Sequence, residues 1–210
     1  MTQNRQVDAT VHYQRRYLTL PRIITHWYQA SEVAEETPPG GSVLEIGPGS
    51  GHTTWLLRSW GYSVTTLDFE PANRPTVVGT VTDLPFADGS FDTVLAAEVL
   101  EHLPFEQFDR CLSELARVAR KSVVVSLPAP FVGLAALFNL PRLKPRSLHL
   151  GVPYLVKHRF NGEHYWELGK VGFSLGRIKQ HIKASGLDLV RAFRPSASLY
   201  CYFFVTRPRR

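Results

Sequence analysis

The chain has 210 residues, 44% of them hydrophobic, and carries 24 Lys and Arg against 18 Asp and Glu. That length suits one core, since single domains run to roughly 100–200 residues. The longest apolar stretch, residues 128–140, is interrupted by prolines, a glycine and an asparagine and falls short of the roughly 20 residues that cross a bilayer.

No transmembrane helix is therefore expected. The first residues, Met1 to Gln6, lack the apolar centre of a signal peptide, and Cys111 and Cys201 make no disulfide framework, so a cytoplasmic location with reduced thiols is the expectation. The net charge of +6 is unevenly spread: residues 1–114 hold 15 acidic and 7 basic side chains, residues 115–210 hold 3 and 17, and no acidic residue lies between Glu114 and Glu163. Such asymmetry suits an anionic ligand, a nucleic acid or an acidic membrane surface near the second half. It equally suits a solvated basic face.

In chain order, residues 11–30 place apolar side chains at helical spacing and read as an N-terminal helical cap, within residues 1–36, interrupted near Pro21. Thr37-Pro38-Pro39-Gly40-Gly41 breaks the chain. Strands are then expected at 42–46, 62–67, 75–79 and 91–97, with a helix over 51–60 between the first two. Phe105, Phe108, Leu112, Leu115 and Ala119 recur at helical spacing, and the β-branched run 122–127 suits a buried central strand. Residues 128–172, rich in proline and aromatics, fit no regular α/β unit and read as an insertion capping the acceptor. A helix over 175–184 stopped by Gly186, and two strands at 187–193 and 199–206 that should pair as a hairpin, complete the chain. Alternating strands and helices predict one α/β domain: a Rossmann-like three-layer sandwich with a mostly parallel seven-stranded sheet ending in an antiparallel hairpin strand.

The turn after the first strand is Val43-Leu44-Glu45-Ile46-Gly47-Pro48-Gly49-Ser50-Gly51. Glycines there let backbone amides approach a ligand closely. Their spacing, Gly47-x-Gly49-x-Gly51, is not the G-x-G-x-x-G of pyrophosphate binding, and Glu45 would repel a pyrophosphate. A nicotinamide-dependent oxidoreductase is disfavoured on both counts. Asp68, ending the second strand, can accept hydrogen bonds from both ribose hydroxyls, so the pair Glu45 and Asp68 points to a ribosyl ligand with a cationic end. Read blandly, the glycines form a tight turn and Asp68 and Asp83 cap helices or loops.

The segment 43–51, the run Leu67-Asp68-Phe69-Glu70-Pro71, the stretch from Asp83 to Asp92 and the segment Glu98-Val99-Leu100-Glu101-His102-Leu103 together resemble the class I S-adenosylmethionine (SAM) dependent methyltransferases, in particular the ubiquinone and menaquinone biosynthesis type. That resemblance implies SAM as cofactor. By it, Glu45, Gly47, Gly49 and Gly51 lie along the methionine part, Asp68 binds the ribose and Phe69 borders the adenine. Asp83 and Leu84 would lie near the adenine and Glu98 near the methionine end. One position departs from the pattern: Gly79 is followed by Thr80, where many relatives carry an aspartate that receives the adenine amino group.

Methyl transfer needs an aligned acceptor and, for hydroxyl or amine acceptors, a base. Glu98, Glu101 and His102 stand at i, i+3 and i+4, one face if a helix begins there. Small-RNA 2′-O-methyltransferases carry a similar Glu-x-x-Glu-His cluster that, with a distant histidine, holds a divalent metal. Glu98, Glu101 and His102 are thus one possible ligand set, completed by His149, His158 or His164, and His102 is alternatively a general base; the segment equally resembles that of many relatives with no metal, in which Glu101 and His102 are structural. In residues 160–167 aromatics gather around Glu163, His164 and Glu167, so His164 or Glu163 is a second candidate to act on the acceptor. The acceptor expected is a small-molecule metabolite, anionic or amphipathic, such as a lipid, quinone precursor or glycan intermediate. Residues 131–138, followed by Arg142, Lys144 and Arg146, could rest on an anionic membrane. An RNA methyltransferase and a non-catalytic SAM-binding protein remain the alternatives.

Overall fold

The computed structural model describes residues 18–130, 132–138, 146–151, 156–198 and 200–209. Seven strands form one sheet in the order β3-β2-β1-β4-β5-β9-β8: β1 (Ser42–Ile46), β2 (Ser63–Asp68), β3 (Val77–Val78), β4 (Phe91–Ala97), β5 (Ala119–Pro128), β8 (Leu187–Phe193) and β9 (Cys201–Pro208). All neighbours pair in parallel except β9, which runs antiparallel to both β5 and β8. The expected sheet, with its antiparallel C-terminal hairpin, is thereby present.

Alternation along the central strands divides the core in two, because successive strand side chains point to opposite faces. Val43, Leu95, Val124 and Phe203 pack on one face with Ala30 and Val33 of helix α1 (Leu20–Glu36) and Leu57 of α2 (His52–Ser59). Leu44, Val94, Val123, Val125 and Phe204 pack on the other with Leu112 and Leu115 of α3 (Phe108–Val118) and Ile178 and Ile182 of α4 (Leu175–Ala184). Helices on both faces make the third layer.

Three local expectations change. Pro21 starts α1 instead of interrupting it, since it occupies the first turn, where no intrahelical N–H is needed and its fixed φ suits the helix; residues 11–17 of the expected helix lie outside the described residues. The insertion, expected to fit no regular α/β unit, contains regular structure: β6 (Gly133–Phe138) and β7 (Arg146–Gly151) form a separate antiparallel pair. No helix starts at Glu98. That residue takes a left-handed backbone, φ 54°, which ends β4 sharply, and only a three-residue 3₁₀ turn, Leu100–His102, follows. Glu98, Glu101 and His102 therefore do not share a helical face.

Much of the basic second half is balanced internally. Arg191 meets Glu32 at 2.7 Å, Glu35 at 3.2 Å and Glu36 at 3.3 Å. Arg117 binds Asp88 and Glu114, and Arg120 and Lys121 reach Asp92. The charge asymmetry along the chain becomes complementarity between elements that fold together. Among the described residues no helix is long and apolar enough to cross a membrane.

Candidate functional site

The parallel strands β1, β2 and β4 deliver their carboxyl ends side by side, and the turns that leave them carry most of the residues singled out above. Glu45, near the end of β1, is buried and accepts a hydrogen bond from the Thr54 hydroxyl of α2. Burial raises its carboxyl to about 7, with the Thr54 bond and the charge of Arg58 pulling the other way. Gly47, Gly49 and Gly51 all have positive φ. Gly47 donates its N–H to the Leu67 carbonyl at 2.8 Å, tying the turn to the end of β2.

Asp68 is buried; its two carboxylate oxygens accept from the Glu70 N–H and the Asn73 side-chain amide, each at 2.9 Å. The Asn73 carbonyl oxygen beside it is buried with no partner. Phe69 is 55% exposed, Leu84 is buried and Asp83 is exposed. Leu84 is fixed by its N–H to Glu114 at 2.7 Å, and Asp83 bridges back to Thr80 through the backbone.

A buried carboxylate beside a glycine turn, a second carboxylate one strand over and an orphaned acceptor next to it suit a ligand with a cationic amino-acid end and ribose hydroxyls. Glu45 and the turn would hold the methionine part, and Asp68 with Asn73 the ribose. When bound, SAM supplies an electrophilic methyl on a sulfonium.

Beyond β4 a second group converges. Glu98, strained by its left-handed backbone at a cost of about 1–2 kcal/mol, accepts from the Ser126 hydroxyl at 2.9 Å. Glu101 is fully buried and neither of its carboxylate oxygens has a partner. Burial, then the negative charge of Glu98 and of Glu167, pushes Glu101 well up; Glu98 is raised by burial first, and the positive charge of Arg22 on α1 opposes it.

The segment 160–168 docks on this turn. Tyr165 donates its N–H to the Glu101 carbonyl at 2.9 Å, and Trp166, itself buried, donates its indole N–H to the Leu103 carbonyl at 3.1 Å. This brings His164 against His102, ring centroids 4.9 Å apart and edge on. His164 Nδ1 lies 3.1 Å from Glu167, which Lys170 also holds at 2.8 Å. Glu167 feels burial most, yet the hydrogen bonds from Lys170 and His164 hold it below the usual carboxylate range.

Glu101, His102 and His164 offer ligand atoms that all lie within 4.8 Å of one another, so of the three histidines named above it is His164 that the structure brings to Glu101 and His102, and Glu98 is not in the group. His158 is engaged at both nitrogens, with the His164 carbonyl at 2.8 Å and Lys170 at 3.1 Å. His149 sits in the separate β6–β7 pair.

Sequence reasoning overlooked Asn73, Arg22 and His26. Gln29 Oε1 on α1 accepts from His26 Nδ1 at 3.1 Å and from Thr53 of α2 at 2.8 Å, and His26 stacks on His52 behind the glycine turn. Burial lowers His26 to about 4. Only the polar residues interspersed in the apolar pattern of α1 hinted at this.

Residues 44–127 match the family model for a methyltransferase domain. The demethylmenaquinone methyltransferase of Mycolicibacterium gilvum is 34% identical over 119 residues, 51% of this chain and 51% of that protein. The chain thus aligns with about half the length of that relative. An uncharacterized methyltransferase of Synechocystis is 27% identical over 73% of the chain and 76% of its own length. Among solved structures, magnesium protoporphyrin IX methyltransferase from Synechocystis, with bound SAM, superposes at a TM-score of 0.62 with 18% identity, covering 98% of this chain and 93% of that one; this likeness bears on the fold. Sheet order, glycine turn and the four ordered motifs agree with these matches. Over residues 44–127 the chain is similar to a methyltransferase domain, and its sheet order is that of the solved SAM-dependent methyltransferases it superposes on.

Proposed function

We propose that this chain transfers the methyl group of SAM to a small-molecule acceptor of anionic or amphipathic character, of the lipid, quinone-precursor or glycan-intermediate kind. The observation that carries the reading is the line of Glu45, Asp68 and Glu98 at the carboxyl ends of three adjacent parallel strands, where open α/β sheets bind their ligands. The cofactor would sit along that line with its methyl toward the turn after β4, under the segment carrying His164. His102 and His164, in edge-on contact at that turn, are the candidates to take an acceptor proton.

An amphipathic acceptor is favoured by the β6–β7 pair. One face presents Leu134, Phe138, Leu148 and Leu150 to solvent, with Leu134 at 77% and Leu150 at 62% exposure. An exposed apolar face of this kind suits contact with a lipid-like molecule or the membrane that holds it. A relative named for demethylmenaquinone points the same way. RNA as acceptor draws less support, because so many cations of the second half are already paired with carboxylates.

Labelled SAM supplied to the protein with separated lipid, soluble-metabolite and RNA fractions of a bacterial extract tests the reading. Label in the lipid or metabolite fraction is expected. Label in RNA alone, or SAM binding with no labelled product, overturns it.

A further inference from the structure

The carboxyl end of the sheet carries two exposed apolar surfaces that neither the core nor the cofactor groups use. On α1, Leu20, Ile23 and Trp27 stand at i, i+3 and i+7, on one side of the helix, and all three are exposed, Leu20 by 68%. The other side of α1 buries Thr25, Gln29, Ala30 and Val33. On the β6–β7 pair, the register sets Leu134 opposite Leu150 and Ala136 opposite Leu148, and such cross-strand partners share a face. Phe138 extends that face by alternation, and all five residues are exposed.

Both surfaces stand beside the candidate site. The first turns of α1 lie at the carboxyl ends of the parallel strands: Thr25 shares a 2.9 Å hydrogen bond with Ser198, just before β9, and Cys201 at the start of β9 pairs with Pro128 at the end of β5. At the other end of the helix, Thr37 bonds Thr93 near the start of β4. The hairpin leaves the same end of the sheet, because β6 begins a few residues after β5 stops. Tyr200, also exposed, accepts the Ala129 N–H at 2.8 Å and so ties the segment before β9 to the stretch that leads into β6.

The charge around these surfaces is positive. Arg22 is exposed between Leu20 and Ile23, and Arg146 lies opposite Phe138 in the register. Lys157 and Arg159 follow β7; they are exposed, and among the described residues no carboxylate pairs with them. No acidic residue occurs from 115 to 162.

We propose that this end of the molecule docks on an anionic lipid bilayer. Apolar side chains that enter the interface and cations that meet its headgroups act together in holding a peripheral protein on a membrane. A second copy of the chain fits the surface less well, since a two-fold contact through it would set cations against cations. Docked in this way, the turn after β4 opens toward the bilayer, and an amphipathic acceptor reaches it without crossing water. That consequence rests on the methyl-transfer reading; membrane binding itself does not.

The test mixes the full chain, without SAM, with sedimentable vesicles of phosphatidylcholine alone or with added phosphatidylglycerol. Sedimentation with the anionic vesicles is expected. It should weaken by about 10-fold or more on neutral vesicles and at about 1 M salt, where charges are screened within roughly 3 Å. The double variant Leu134→Ser, Leu150→Ser should bind about 10–100-fold more weakly and Ile23→Ser about 10-fold, as loss of buried apolar area requires. Trp60→Ser should bind unchanged, because that exposed side chain follows α2 at the opposite end of the sheet. These positions are exposed, so the variants keep the fold, with circular dichroism as the check. No sedimentation with anionic vesicles, or equal binding by all the variants, overturns the surface. So does a dimer, seen by light scattering, that the Leu134 and Leu150 changes dissociate while vesicles fail to bind. Methyl transfer is read separately with labelled SAM: vesicle binding with no labelled product sinks methyl transfer alone, and labelled lipid with no vesicle binding sinks the docking surface alone.

Discussion

Val99 closes over Gly47: a Cβ built on Gly47 would lie 2.7 Å from Val99 Cγ2. The contact joins the glycine turn after β1 to the turn after β4, two segments that the sequence presents as separate motifs. Because Gly47 also has φ 64°, any side chain there meets both a backbone penalty and a steric one.

Gly47→Ala is accordingly expected to destabilise the fold by about 1–2 kcal/mol through its left-handed backbone alone, and to weaken SAM binding by displacing the turn. A urea denaturation midpoint and a SAM titration measure both effects. The double variant Gly47→Ala, Val99→Ala should recover the steric part and not the backbone part. An unchanged midpoint in the single variant would show that the close approach does not constrain this turn.

Glu45 gives the site a pH dependence. Its carboxyl is raised to about 7 by burial, so without cofactor it is largely protonated at pH 6 and ionised at pH 8. A cationic ligand favours the ionised form, so binding releases a proton and SAM affinity rises as pH climbs from 6 to 8. The same shift acts on stability with the opposite sense. Between the ordinary carboxylate value and 7 the folded chain holds a proton that the unfolded chain has lost, so stability falls as pH rises through that window. Glu45→Gln should flatten both profiles, as read by calorimetry and thermal melting; persistence of the affinity slope in that variant would assign it to another group.

Asp68 and Asn73 should contribute unequally to cofactor binding. Loss of a hydrogen bond to a charged group costs about 1.5–3 kcal/mol and of a neutral one about 0.5–1.5 kcal/mol, so Asp68→Ala should weaken SAM by about 10–150-fold and Asn73→Ala by about 2–10-fold. Adenosine, which carries the ribose without the methionine, should lose affinity in parallel. Equal losses for methionine as a competitor would place these residues elsewhere than at the ribose.

Trp166 is the peg of the docked segment, packed against Phe105, Phe108 and Phe173 and bonded to the Leu103 carbonyl. Trp166→Ala should cost about 3–5 kcal/mol. Exchange of the Tyr165 amide with solvent deuterium should accelerate, since its bond to Glu101 depends on that docking. Unfolding by urea and amide exchange read the two outcomes, and retention of slow exchange at Tyr165 would contradict the role given to the indole.

How much of this was legible beforehand depends on the range of the interaction. The apolar runs at 42–46, 91–97 and 122–127, the glycine spacing after β1 and the acidic end of β2 are local signals, and each one appears in the structure at the expected place, the last strand lengthened to 119–128. Period and turn chemistry act over a few residues, and a sequence carries them whole. Local rules failed where one residue had two uses: Pro21 can break a helix or begin one, and the fit of its ring to a first turn depends on where the chain before it goes. Glu98, Glu101 and His102 have helical spacing, but spacing assumes a helix, and β4, paired with β5 as far as Ala97, is followed by a left-handed residue instead.

The sequence by itself determined the class of fold and the motifs proposed to face the cofactor, because strand period and turn chemistry are carried by near neighbours in the chain. Only the tertiary structure decided which histidine meets Glu101. Of His149, His158 and His164, all equally available in the sequence, His164 alone is carried to the turn after β4, because burial of Trp166 two residues on and the Tyr165 bond to Glu101 fix that segment there. Long-range packing of one aromatic side chain made the choice.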